Sequence, residues 1–443
     1  MPLFRALLGL SLLVPSALPA QRVTTPLRAE IERRTQQVLP KVVAWRRDIH
    51  QHPELSNQEV RTGKLVADHL TALGLEVRTG VAKTGVVGVL KGGKPGGVIA
   101  LRADMDALPV TEQVDLPFKS TQRAKWNGQD VGVMHACGHD LHVAILMGVA
   151  EVLTGMKANL PGTVKFIFQP AEEGAPPGEE GGAGVMIKEG VLENPAPSAI
   201  FGLHVFPGPV GTINYRPGPV MAASDWLYIS VRGKQTHGAV PWGGVDPIVV
   251  ASQIVLALQT IPSRQIDITN VPAVVTVGMI QGGNRGNIIP DSVVLQGTVR
   301  TFDEAMRTDI KERIKRTVDL IAKSAGATAT VDFGTGNNPA TVNDPALTER
   351  MLPTLKRVAG DSNVRLGRLS MPAEDFSLYQ QRIPGMFFFL GITPRDKDPA
   401  TVAANHSPSF FADEGALPLG VRAMANLVLD YLGAQQPTMN RKP

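Results

Sequence analysis

Short apolar runs that close on an acidic residue or a histidine most constrain what this chain can fold into. Residues 85–90, 98–104 and 164–169 are bounded by glycine or by helical stretches, and the last two lead straight into acidic side chains. Residues 199–205 form a further run that ends at His204-Val205. Continuous apolar strands of this kind, alternating with helices, argue an α/β core whose sheet is largely buried. In such sheets the chemistry gathers at the carboxyl ends of the strands. Residues 27–47 are rich in helix formers, with Pro40 expected to start or kink a turn. Val60, Val66, Leu70 and Leu73 mark a second helix, which Gly74 would close.

The middle of the chain has another rhythm. Residues 225–232, 273–280, 292–301 and 327–333 read as strands, and 247–261 and 304–325 as helices. The order β-α-β-β-α-β is that of a ferredoxin-like α+β unit. It holds few candidate ligands, so residues 221–334 are expected to be an inserted lid or dimerisation domain. Residues 21–220 and 335–443 would then build the catalytic domain, with a return strand at 385–390. At 443 residues and 43% hydrophobic, the chain has enough apolar content for both.

Arg5 is the only charge in residues 1–20; an apolar run follows at 6–14, then Pro15-Ser-Ala-Leu-Pro-Ala20. This is the pattern of a signal peptide cleaved after Ala20, and it predicts an exported protein, periplasmic or secreted. No segment is long enough to span a bilayer, so no membrane association is expected after leader removal. The net charge of +4 comes with no basic run, which argues against nucleic acid as a partner. Cys137 is the single cysteine, so an intramolecular disulfide is excluded. In an exported protein a lone thiol is a liability unless something occupies it.

That cysteine sits in His135-Ala-Cys-Gly-His-Asp-Leu-His142, which holds three of the nine histidines. A thiolate and an imidazole two residues apart, on a turn entering a helix, can face one ion, and a metal would keep the thiol deprotonated. A helix cap or a small core residue is the competing reading for each residue taken singly. Gln169-Pro-Ala-Glu-Glu173 follows a buried-type strand. Adjacent carboxylates there repel unless a cation or proton intervenes, so one could ligate while the other takes a proton. Asp104 and Asp106, His204 and His406 stand in comparable places, and the strand ends should converge on one rim.

Together Arg102-Ala-Asp-Met-Asp-Ala-Leu-Pro109, His135 to His142, Gln169 to Glu173, Gly202-Leu-His-Val205 and Asn405-His-Ser-Pro408 resemble the amidohydrolase branch of metallopeptidase family 20. That branch includes hippurate hydrolases, auxin-conjugate hydrolases and N-acyl-amino-acid amidohydrolases. The resemblance implies a zinc-peptidase-like catalytic domain with a mixed, mostly parallel sheet, carrying a ferredoxin-like lid. It also implies two divalent ions, Mn2+ or Zn2+ before Co2+ or Ni2+, held by Cys137, His139, Glu173, His204 and His406. Glu172 would be the general base, and Asp106 would orient or tune the ligands. In the lid, His237 of Thr236-His-Gly-Ala-Val-Pro241 would stabilise the oxyanion, and Asn287 and Arg300 would hold substrate. A homodimer through the lid is expected on the same ground. Two departures stand out: an extra loop at 175–180, and Met371-Pro372 ahead of Glu374-Asp-Phe376. The loop could reshape the mouth of the site, and the departures bear on side-chain specificity, not on the metal chemistry.

The expected reaction is metal-assisted hydrolysis of the amide of an N-acyl or N-aroyl amino acid. A dipeptidase or carboxypeptidase would use the same metals with an anchor for a free amine or peptide. A non-catalytic periplasmic binding protein would not need Glu172 beside Glu173. A two-metal phosphoesterase would recruit more Asp/Asn ligands and a basic phosphate grip.

Overall fold

The computed structural model describes residues 20–434, and the expected leader at residues 1–20 lies almost wholly outside them. Among the described residues no helix is long and apolar enough to cross a membrane.

An eight-stranded mixed sheet forms the centre of the larger unit. Its order is Glu76–Val81, Gly85–Lys91, Pro161–Gln169, Lys94–Asp104, Ile200–Pro209, Gly385–Thr393, Ile213–Tyr215 and Val364–Leu366. The four strands from Pro161–Gln169 to Gly385–Thr393 run parallel and are covered on both faces, which is why they are mainly apolar. Register brings their ends together: Asp104 pairs with Gln169, and His204 with Phe389. Helix His139–Thr154 packs on the sheet beside Leu417–Gly433, and Ala20–Gln51 covers both helices. Nearly all of its side chains are buried.

The helix Ala20–Gln51 corrects one expectation, because it runs unbroken through Pro40. Pro40 is exposed, so water can satisfy the carbonyl that its missing N–H leaves free. On the opposite face Ile31, Val38, Val42 and Ile49 are buried, and this packing carries the helix past the local penalty. Gly74 does follow the helix Val60–Ala72, with φ of 75°.

The middle segment forms a separate antiparallel sheet in the order Ala273–Gln281, Ser292–Thr301, Ala223–Arg232, Thr328–Asp332. With the helices Pro247–Thr260 and Glu304–Ser324 it has the ferredoxin-like order, second strand, third, first, fourth. It has its own core, in which Leu227, Ile229, Ile254, Leu295, Ile314 and Val318 meet.

Candidate metal centre

The rim at the carboxyl ends of the parallel strands holds every metal-ligating residue expected from the sequence. His139 opens its helix directly after Gly138, whose φ is 90° and where a Cβ would come within 2.3 Å of Val205. Its Nδ1 donates to the Asp106 carbonyl at 2.8 Å. Its Nε2 is buried and has no hydrogen-bond partner. His204 donates from Nδ1 to the Val205 carbonyl at 2.7 Å, which leaves Nε2 as the lone-pair nitrogen, 3.3 Å from Cys137 Sγ. Glu173 Oε1 is buried without a hydrogen bond of good geometry, 3.0 Å from His406 Nε2 and 4.0 Å from His139 Nε2. His406 has a left-handed backbone with φ of 71°, pinned by its N–H to the Ala136 carbonyl at 2.8 Å. Asn405 Nδ2 donates to the Cys137 carbonyl at 3.0 Å.

Two sets of ligand atoms lie within 4.8 Å of one another, Cys137/His139/His204 and Cys137/Glu173/His406. Cys137 belongs to both. Buried polar atoms on His139 and Glu173 that lack hydrogen-bond partners are costly unless a cation meets them, so the residues fit a two-metal centre. Burial and the carboxylates Glu173, Glu172 and Asp104 push the Cys137 thiol well above its usual pKa, a penalty that a bound cation reverses.

Asp104, His139 and His142 form another close set. His142, however, spends both nitrogens on protein: Nδ1 binds Asp104, and Nε2 accepts the Val205 N–H at 2.9 Å. That leaves it placed behind the candidate ligands, as a supporting group would be. Asp104 in turn binds the fully buried Arg102, which also donates to Gln169, Glu374 and Asp375 at 2.9 Å each. Burial, then Glu374, Glu173 and Asp375, raise the Glu172 carboxyl well above the usual range. Burial opposes protonation of His139, but Asp104, Asp106 and Glu173 outweigh it and lift the imidazole to about 10.

The turn that carries Glu172 and Glu173 is held by backbone contacts. Asp106 Oδ1 accepts the Glu172 N–H at 3.1 Å and Oδ2 the Glu173 N–H at 3.0 Å, while Ser56 Oγ donates to Oδ2 at 2.7 Å. Ser56, Glu59, Arg102, Glu374 and Asp375 had no role assigned from sequence. Glu374 and Asp375 belong to the altered motif and lie buried behind Glu172.

The lid residues stand apart. His237 is exposed, and its Nδ1 accepts the Ala239 N–H at 3.0 Å. Asn287 is exposed, and its carbonyl accepts the Gly238 N–H at 2.8 Å. Arg300 is half-buried in the lid sheet, opposite Ser224 and Val274. Among the described residues no hydrogen bond or ion pair joins these three to the metal-ligand cluster.

Residues 100–430 match the model of peptidase family M20/M25/M40. The chain belongs to this family. It is 43% identical to thermostable carboxypeptidase 2 of Saccharolobus solfataricus, over 88% of this chain and 95% of that one. It is 39% identical to N-acetylcysteine deacetylase of Bacillus subtilis, over 88% of this chain and 97% of that one. Among solved structures it is similar to the YXEP protein of Bacillus subtilis, described as a dinuclear metal-binding peptidase. That likeness has a TM-score of 0.74 and 37% identity, over 90% of this chain and 99% of that chain. As an M20 hydrolase the protein acts on amide bonds, and its centre is one for two divalent metals.

Proposed function

We propose that this M20 enzyme is an amidohydrolase of N-acyl or N-aroyl amino acids, in which Cys137, His139, Glu173, His204 and His406 would hold the two ions. The observation that carries the reading is the half-buried pair of Glu172 and Glu173 at one strand end, where Glu173 meets His139 and His406 while Glu172 lies between His139 and the buried Glu374 and Asp375. Divalent ions bound there, Mn2+ or Zn2+, supply Lewis acidity and an acidified water. Glu172 takes the proton of the attacking water and returns it to the leaving amine, reversing its role between the two halves of the reaction. Its raised pKa, from burial and neighbouring carboxylates, suits a group that must carry that proton between steps. Asp106 keeps Glu172 and Glu173 in fixed relative positions through their N–H groups. His237 would donate to the developing oxyanion, and Asn287 and Arg300 would grip the substrate carboxylate once the lid closes.

The likeness to a carboxypeptidase keeps a peptidase specificity as the second reading. Two further parts of the proposal are export through the leader and a homodimer through the lid. The lid strand Ala273–Gln281 is an edge strand, and Ile280 on it and Leu256 on the neighbouring helix are 58% and 73% exposed.

The test is amine release by the chain from Gln21, metal-stripped and reloaded with Mn2+ or Zn2+. N-benzoyl, N-acetyl and long-chain N-acyl amino acids are set beside free dipeptides. Metal-dependent hydrolysis of blocked substrates alone supports the amidohydrolase, and hydrolysis of dipeptides alone moves the protein to the peptidases. Metal binding with no turnover on any of them would overturn both.

A further inference from the structure

The helix Val60–Ala72 begins in an unusual way. Glu59 occupies its N-cap position, yet the Glu59 side chain makes no capping bond. The capping work is done by Glu54, whose two carboxylate oxygens accept the N–H groups of Arg61 and Thr62, each at 2.8 Å. Glu59 is fully buried. Its Oε1 accepts the Ala171 N–H at 2.9 Å and the Asn57 N–H at 3.1 Å, and its Oε2 accepts the Thr84 hydroxyl. Ala171 is in the left-handed region, with φ of 53°, a conformation costly for a residue with a Cβ. Three consecutive N–H groups, those of Ala171, Glu172 and Glu173, therefore end on two buried carboxyl groups, Glu59 and Asp106. A buried acid withheld from its own helix and applied to a strained turn is a local rule broken for use elsewhere.

We propose that Glu59 is a positioning residue for the catalytic turn. Its carboxyl group holds Ala171 left-handed, so that the adjacent Glu172 and Glu173 both reach the site beside His139, one for proton transfer and the other for the metal. The inference rests on the roles given to Glu172 and Glu173 above. What matters in Glu59 is reach, since both backbone N–H groups end on a single oxygen. Burial and then the Asp106 charge push its carboxyl up to about 7. A glutamine of equal length can keep the two N–H bonds on its Oε1 and donate to Thr84. An aspartate keeps the charge but falls one methylene short.

The experiment uses the full chain with Glu59→Gln, Glu59→Asp and Thr84→Val, and with Glu172→Gln alongside. Mn2+ affinity is measured by chelator competition, with kcat and KM on the best substrate and the melting temperature of the metal-free chain. Glu59→Gln is expected to stay within about threefold of the parent in Mn2+ affinity and kcat. Glu59→Asp should lose about 10–100-fold in both, the scale of disturbing a group behind a metal ligand, with KM little changed. An aspartate variant equal to the parent, or a glutamine variant as impaired as the aspartate, overturns the proposal. If Glu59→Asp does not fold, Thr84→Val decides. Weakened Mn2+ binding supports the positioning role, and a lower melting temperature with unchanged affinity and kcat overturns it. The control separates the two readings: turnover by Glu172→Gln would sink the base assignment, while the Mn2+ arm reports on Glu173 independently.

Discussion

Cys137 Sγ and His204 Nε2 lie 3.3 Å apart in a buried site where the thiol also faces Glu173. This closeness ties metal binding to proton release, because the ligand form of the cysteine is the thiolate. Metal affinity should therefore fall as pH falls, with protons released on loading. Replacing Cys137 by Ser keeps the volume and removes the soft, shareable donor. The Cys137→Ser chain should fold but retain fewer than two ions after dialysis, as read by elemental analysis. Full metal content in that variant would remove Cys137 from the ligand set.

Glu172 and Glu173 adjoin in sequence but are expected to fail in different ways. Glu172→Gln should keep both ions and bind substrate with KM within a few-fold of the parent. Its kcat should drop by roughly 10²–10⁴, the range for loss of a general acid–base group. Glu173→Gln should lose metal first, and activity with it. Metal analysis beside steady-state kinetics tells the two apart, and a Glu172→Gln enzyme with parental kcat would refute the assignment.

Arg102 is the only cation whose hydrogen bonds reach Asp104, Glu374 and Asp375 among the described residues. Taking it away leaves three buried carboxyl groups without their shared cation, though His142, Gln169 and the Phe376 N–H still reach them. Arg102→Met is expected to cost about 3–5 kcal/mol, the range for breaking a buried ion pair from one side. Lysine should not rescue it, since a single ammonium cannot match the guanidinium fork across four partners. Urea unfolding of the metal-free chain is the measurement, and a loss under about 1 kcal/mol would show that the network carries little stability.

How much of this was legible in the sequence follows from distance along the chain. The parallel strands could be read because burial on both faces makes them mainly apolar, and acidic residues or a histidine mark where three of them end. Cys137 and His139 share one turn, so their joint purpose is local. Glu59 and Ala171 are far apart in sequence, and an acidic residue just before a helix looks like an ordinary cap until the fold shows where its oxygens go. Arg102 stands in a sequence motif, but the guanidinium acquires its task only through Glu374 and Asp375, contributed by a distant segment. Within the eight-residue cluster, pattern alone could not separate His139 from His142. The difference is the Val205 N–H that occupies His142 Nε2. Pro40 shows the reverse case, a correct local rule outvoted by the buried face of its helix.

Far from the metal centre, Asp430 gathers three elements and should shape acid stability. On helix Leu417–Gly433 it accepts from Arg28 at 2.8 Å, from Thr354 at 2.7 Å and from Arg357. Burial opposes its charge, but Thr354, Arg28 and Arg357 prevail and hold its pKa below the ordinary aspartate value. The folded state thus binds the proton less readily than the unfolded chain. Its contribution is present in full above about pH 4, near the unfolded aspartate pKa, and is lost as pH falls through the lower folded value. Asp430→Asn should cost about 1–3 kcal/mol at pH 7, the scale of hydrogen bonds to a charged group. The difference between variant and parent should shrink steadily below pH 4. Urea midpoints taken from pH 7 down to pH 3 provide the check, and a gap that stays constant over that range would show that Asp430 keeps its proton state on folding.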